Sequence, residues 1–117
     1  MTKEAVVLQR TDWAREADQW VGRATGDALG TDVTVLFFSS DVVGDGPPLH
    51  THPYDEVFII RQGSGRFTIG DRIVEAGAGQ ILMAPAEVPH KFENLGPGRL
   101  ETTDIHLSRA FIQVELE

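Results

Sequence analysis

The chain has 117 residues, with ten Lys and Arg, eighteen Asp and Glu, and no cysteine. This length suits one domain over residues 1–117 and is too short for two ordinary ones. The lack of cysteine excludes disulfides, thiolate metal sites and a cysteine nucleophile, and the formal charge of −8 argues against a nucleic-acid partner.

The start of the chain carries no pattern typical of a targeting signal. Residues 5–8 are the only apolar run near the start, and a secretory segment needs roughly seven or more such residues. A membrane span needs about 20. We therefore expect a cytoplasmic protein without a membrane partner.

Residues 1–30 are interpreted as an N-terminal arm whose secondary structure has two interpretations. Trp13, Ala17, Trp20 and Val21 recur at helical spacing and favour one amphipathic helix. The segment Trp20–Thr25 equally suits an edge strand. Both interpretations stay open at this point.

The remainder of the chain is typical of an all-β protein, because short apolar runs alternate with turns rich in Gly and Pro. Several short, evenly spaced strands indicate a sandwich or a barrel. The predicted strands are Val33–Ser39, Leu49–Thr51, Val57–Arg61, Gly65–Ile69, Arg72–Val74, Gln80–Ala84, His90–Asn94, Arg99–His106 and a further one at Ile112–Leu116.

Four residues form a candidate metal site. His50 and His52 are two positions apart, so in a strand their side chains point to the same face. Pro53 favours a bend that would let Glu56 face the same ion, and His90 is the fourth candidate ligand. Three imidazoles and one carboxylate suit a divalent transition metal, and iron, manganese, nickel, zinc and copper are all compatible. We expect one such ion per chain.

These residues resemble the two motifs of the cupin superfamily. Gly44, His50, His52, Glu56 and Gly63 have the spacing of the first motif, at 44–63. The second motif, at 79–94, is matched by Gly79, Pro85, His90 and Asn94. Glu87 departs from the second motif, because the family has a glycine at this position. A glycine there would allow a turn with positive φ, which Glu adopts only at a cost.

The resemblance implies a single cupin barrel, that is, a jelly roll or double-stranded β-helix. It also implies a small-molecule substrate or ligand. We expect a metal-dependent enzyme of dioxygenase, isomerase, cyclase or decarboxylase type, the alternative being a non-catalytic barrel that binds or senses a small molecule. Catalytic residues are not identified beyond two candidates, Glu87 and His106, the latter on one strand face with Thr102 and Asp104.

Alternation along the strand after Glu56 predicts both a pocket and a partner. Phe58 and Ile60 would share the inward face with Glu56, and with Phe92 they are the candidate pocket residues. Val57 and Ile59 would then face outward and need cover from another layer. We therefore predict a homodimer, which small cupins typically form.

Overall fold

The computed structural model describes residues 2–117. Within this range the chain forms two antiparallel five-stranded sheets, which confirms the predicted all-β jelly roll. None of the helices in these residues has the length and hydropathy that a membrane span requires. The elements are α1 (Arg10–Trp13), β1 (Gly22–Ala24), α2 (Gly26–Leu29), β2 (Thr34–Ser40), β3 (His50–Thr51), β4 (Glu56–Gln62), β5 (Ser64–Ile69), β6 (Arg72–Gly77), β7 (Ile81–Ala84), β8 (His90–Asn94), β9 (Leu100–His106) and β10 (Val114–Glu115).

The two sheets enclose the hydrophobic core between their inner faces. The first sheet has the order β1-β2-β9-β4-β7, and the second has the order β10-β3-β8-β5-β6. In β4 the alternation predicted from the sequence is observed, with Glu56, Phe58 and Ile60 buried. The buried core residues are Phe58, Ile60, Phe67, Ala76, Ala84, Phe92 and Leu100.

The N-terminal arm crosses the outer face of the first sheet. The ring of Trp13 stacks on Phe37 at 3.7 Å between centroids, and Trp20 contacts Phe37 edge-on at 5.0 Å. The backbone between the two tryptophans forms a bridge, bends and a turn, so they do not line one face of a helix. The helix interpretation of residues 13–21 is therefore wrong, since α1 ends at Trp13, whereas β1 confirms the edge strand within Trp20–Thr25.

Two motif residues shape turns. Gly63, between β4 and β5, has φ 82°, and a Cβ atom there would collide with the carbonyl oxygen of Arg99. The Asn94 side chain donates to the carbonyl oxygens of Ser40 and Gly98 at 3.1 and 2.9 Å, and it accepts from the Gly96 amide at 2.8 Å. Asn94 therefore fixes the turn between β8 and β9.

The turn before β8 has the left-handed backbone conformation that the glycine of the second motif would favour. Glu87 is exposed and has φ 69°, a conformation that costs a residue with a Cβ atom more than it costs glycine. We expect Glu87→Gly to raise the free energy of unfolding by about 0.5 to 1 kcal/mol, measured by urea denaturation. The control Glu87→Ala retains the Cβ atom and should give no such gain. A loss of stability in Glu87→Gly would contradict this prediction.

Candidate metal centre

Strand pairing brings the candidate ligands to one end of the two sheets. In the second sheet His50 of β3 lies directly opposite His90 of β8. In the first sheet Glu56 of β4 lies opposite His106 of β9. His52 follows β3 immediately. The four predicted ligands and His106 therefore meet between the two sheets.

The geometry of the four predicted ligands suits a single ion. One potential ligand atom from each of His50, His52, Glu56 and His90 lies within 4.8 Å of the others, and all four residues are buried. His52 Nε2 and His90 Nε2 each lie 3.0 Å from Glu56 Oε1. The structure thus brings together all four residues that the spacing indicated.

Backbone carbonyls orient the three imidazoles. His50 Nδ1 lies 2.6 Å from the Pro48 oxygen, and His90 Nδ1 lies 3.0 Å from the Val88 oxygen. His52 Nδ1 lies 2.7 Å from the Ile112 oxygen. A carbonyl can only accept, so each Nδ1 carries the hydrogen and donates it. In the neutral ring this leaves the lone pair on Nε2, which is the usual arrangement of a metal-bound histidine.

Local electrostatics favour the protonation states that ligands need. Burial opposes ionisation of Glu56, but its close contacts with His106, which donates a hydrogen bond, and with His52 and His90 outweigh burial and hold the pKa of that carboxyl well below its usual range. Burial lowers the pKa of His50, so this imidazole is neutral at neutral pH. A carboxylate and neutral imidazoles are the forms that coordinate metal.

The donor set fits a divalent transition metal. Three imidazole nitrogens and one carboxylate oxygen are too rich in nitrogen for calcium or magnesium and suit borderline ions. His52 Nε2 is buried and has no hydrogen-bond partner in the described part of the chain, although it lies close to Glu56 Oε1. A buried nitrogen left without a partner is what a missing metal bond would produce.

His106 contacts the opposite side of the Glu56 carboxylate. Its Nε2 lies 3.1 Å from Glu56 Oε2, and its Nδ1 lies 2.7 Å from the Tyr54 hydroxyl. An ionised carboxylate only accepts, so Nε2 of His106 carries the hydrogen, and Nδ1 then accepts from Tyr54. This tautomer is the reverse of that of the three ligand histidines. His106 therefore anchors Oε2 and leaves Oε1 directed at His52 and His90.

The C-terminal residues close one side of the centre. The Ile112 oxygen accepts from His52 Nδ1 at 2.7 Å, and the Ile112 amide donates to the Tyr54 hydroxyl at 3.2 Å. The Phe111 ring lies against His106, at 5.4 Å between centroids. Strand β10 continues this segment along β3. The backbone after β9 thus fixes the orientation of a ligand that lies some 60 residues earlier in the sequence.

A cavity of about 330 Å³ reaches the centre. Its size is typical of a site for a small molecule. One end contains ligand side chains and the walls are mainly apolar. The lining residues are Leu36, Phe37, Phe38, Asp45, Gly46, Pro47, His50, Glu56, Phe58, Phe92, Asp104, His106 and Gln113.

Asp104 is a buried carboxyl in the wall of this cavity. Asp104 is only 5% exposed, and its Oδ1 has no hydrogen-bond partner among residues 2–117. Burial, and after it the negative charge of Glu56, raise the pKa of Asp104 well above its usual value. The folded chain therefore holds this proton more tightly than the unfolded chain does.

This shift predicts how stability depends on pH. The contribution of Asp104 to the free energy of unfolding should fall as pH rises above about 4, where the unfolded carboxyl ionises first. In chelator-treated protein we expect Asp104→Asn to be more stable than wild type by about 1 to 3 kcal/mol at pH 7, and the difference to vanish below pH 4. Urea unfolding over this pH range measures it. The control is Asp45→Asn, at an exposed position of the same cavity. A pH-independent difference for Asp104→Asn would contradict the prediction.

The other candidate residues lie in different parts of the structure. Phe58 and Phe92 line the cavity, whereas Ile60 packs in the hydrophobic core. Glu87 lies exposed on the loop before β8, and only its backbone amide reaches toward the centre, donating to the His52 oxygen at 2.8 Å. His106 lines the cavity and contacts Glu56.

Sequence reasoning missed three features of the site. It did not identify the contacts of Asp104 or of Tyr54, and it did not connect the C-terminal segment with the ligands. The alternation that places Asp104 and His106 on one face of β9 was the available signal, but it did not show which face was the inner one.

Comparisons with known proteins agree with this geometry. A family model described as a cupin domain matches residues 38–106, more than half of the chain. No curated protein sequence matches the chain.

Solved structures with a similar fold include the following two proteins. Oxalate decarboxylase from Bacillus subtilis, a protein with Mn(II) centres, has 21% identity and a TM-score of 0.74, over 81% of this chain and 27% of its own. A cupin superfamily protein from Desulfitobacterium hafniense has 25% identity and a TM-score of 0.60, over 66% of this chain and 68% of its own. Because this chain spans 27% of the decarboxylase, the likeness to that enzyme shows the fold alone.

Proposed function

Because this chain belongs to the cupin family, we propose that it is a metal-dependent enzyme acting on a small molecule, with one divalent transition-metal ion held by His50, His52, Glu56 and His90. The observation that carries the proposal is the meeting of this ligand set with a cavity that reaches it. When bound, the ion would act as a Lewis acid on an oxygen atom of the substrate.

The residues of this chain would prepare the site for that chemistry. His106 donates to one oxygen of Glu56 and is itself held by the Tyr54 hydroxyl, so the carboxylate keeps a fixed orientation. Phe58 and Phe92 line the cavity beside the centre and would exclude water from it. A site that is preorganised and partly dry strengthens electrostatic effects on a bound substrate.

The test begins with the metal. Elemental analysis of the purified protein should find about one divalent transition-metal ion per chain. The metal-loaded protein is then screened with metabolites by thermal shift, and each ligand that raises the melting temperature is incubated and analysed by mass spectrometry. Conversion that stops after chelation supports an enzyme. Ligands recovered unchanged would instead indicate a binding or sensing barrel, and a protein that binds none of the candidate metals would overturn both.

We also propose that the chain forms a homodimer through the outer face of the first sheet. Val57 and Ile59 are half-buried there, and the neighbouring edge strand β7 leaves Ile81 and Met83 exposed by 66% and 51%. A second copy would cover this apolar surface. Light scattering at micromolar concentration should give the mass of two chains, and Met83→Lys should give one. The control Ile73→Lys, at a position on the second sheet that is 66% exposed, should stay dimeric, and a wild-type monomer would rule out the proposal.

A further inference from the structure

We propose that Asp104 is a specificity-determining residue of the cavity. Its carboxyl binds a hydroxyl group of a small acid, and the carboxylate of that acid reaches the metal centre. The substrate class would be a hydroxylated carboxylic acid with an apolar, ring-sized body. This inference rests on the proposed function, because it assumes that the metal centre receives one end of the ligand.

Strand register places Asp104 one inward position deeper than the metal centre. Along β9 it precedes His106 by two residues, which corresponds to roughly 6 to 7 Å in an extended strand. Across the sheet it lies opposite Phe58 and Leu36. One cavity contains Asp104 together with Glu56 and His50. A single small molecule can therefore contact both the centre and this carboxyl.

The surroundings of Asp104 do not explain its presence as a structural residue. Its sheet neighbours Phe58 and Leu36 offer no side-chain donor, the nearby Thr102 hydroxyl on the same strand face stabilises the carboxylate only in part, and Oδ1 has no hydrogen-bond partner within the part of the chain that the structure describes. Burying a carboxyl while one of its oxygens has no partner costs stability, so such a residue calls for another role. Because this residue lines a cavity, a ligand there can hydrogen-bond to its carboxyl.

The chemistry of the cavity narrows the class of ligand. A hydroxyl both donates and accepts, so it can pair with Asp104 whether that carboxyl is protonated or not. The flat rings of Phe38, Phe58 and Phe92 suit an apolar body between the two polar ends. A carboxylate oxygen is a suitable ligand for the metals that the centre fits.

The test uses zinc-loaded protein, because zinc has no redox chemistry that would consume the probes. Benzoate, 3-hydroxybenzoate and 4-hydroxybenzoate are titrated calorimetrically, and 2-hydroxybenzoate is left out because its hydroxyl could chelate the ion. We expect at least one hydroxybenzoate to bind about tenfold more tightly than benzoate, as one well-formed hydrogen bond to a carboxyl provides. In Asp104→Leu the preference should fall below about twofold, while the affinity for benzoate is retained.

Two variants serve as controls. Asp104→Asn keeps a side chain that can donate and accept, so it should retain part of the preference, which a purely packing role would not require. Asp45→Leu removes an exposed carboxyl from the same cavity and should keep the full preference. Zinc content and circular dichroism check that each variant is folded, and Asp104→Ala replaces Asp104→Leu if the larger side chain prevents folding.

The outcomes separate this inference from the proposed function. Binding of benzoate without any preference for a hydroxybenzoate in wild type would overturn the role of Asp104 and leave the metal-dependent site in place. A preference that survives in both Asp104→Leu and Asp104→Ala would overturn it as well. Failure of all three acids to bind the zinc-loaded protein would overturn the inference together with the small-molecule site that it assumes.

Discussion

Replacing Glu56 by Gln is expected to lower the affinity for the metal by about a hundredfold or more, because in four-ligand structural zinc sites the ligands share a binding free energy of about 10 to 16 kcal/mol. Gln has the size of Glu but lacks the charge that three histidines stabilise around this carboxylate. His52→Ala should show a loss of similar size, since it removes one imidazole nitrogen from the centre. Competition titration against a chelator of known affinity, joined to elemental analysis, measures both variants.

Glu87→Gln is the matched control for this substitution. It makes the same chemical change on the loop that leads to His90, at an exposed position, and should leave metal content and affinity unchanged. Wild-type affinity in Glu56→Gln would show that the ion binds elsewhere or that the carboxylate is not a ligand. A loss in Glu87→Gln as large as in Glu56→Gln would indicate instead that general charge attracts the ion.

Spacing alone was sufficient to identify the four candidate ligands, because strand alternation is a local rule. His50 and His52 had to share a face, and β3, β4 and β8 begin within one residue of the predicted positions. The same rule placed Phe58 and Ile60 inside. It could not state how far along the strand the cavity extends, so it did not distinguish Phe58 on the cavity wall from Ile60 in the core.

Features that depend on pairing between distant strands could not be obtained in this way. The contact between His106 and Glu56 exists because β9 lies beside β4 in the first sheet, and no local pattern specifies that neighbour. The carbonyl of Ile112 reaches His52 only because β10 pairs with β3. The family resemblance supplied the barrel but not the partners of the individual side chains. The N-terminal arm was ambiguous for the same reason, since its tryptophans pack on Phe37 of another strand.

Replacing His106 by Ala is expected to lower metal affinity by about 10- to 100-fold, although His106 is not among the four proposed ligands. Its Nε2 donates to Glu56 Oε2 at 3.1 Å, and Tyr54 in turn donates to its Nδ1 at 2.7 Å. Without this pair the carboxylate loses a buried hydrogen bond and can rotate away from the position that directs Oε1 at His52 and His90. The measurement is again competition against a chelator.

Rescue distinguishes anchoring from packing. His106→Gln offers a side-chain N–H donor at a comparable reach and should recover part of the affinity, whereas His106→Leu fills the space without a donor and should not. Tyr54→Phe removes only the outer hydrogen bond, so its effect should have the same direction and a smaller size, because His106 can still donate to Glu56. If Leu restores the affinity as well as Gln does, His106 serves only to fill the space between β9 and β4. Graded losses that follow the number of donors would show that a hydrogen-bonded chain from Tyr54 to Glu56 orients the metal-binding carboxylate.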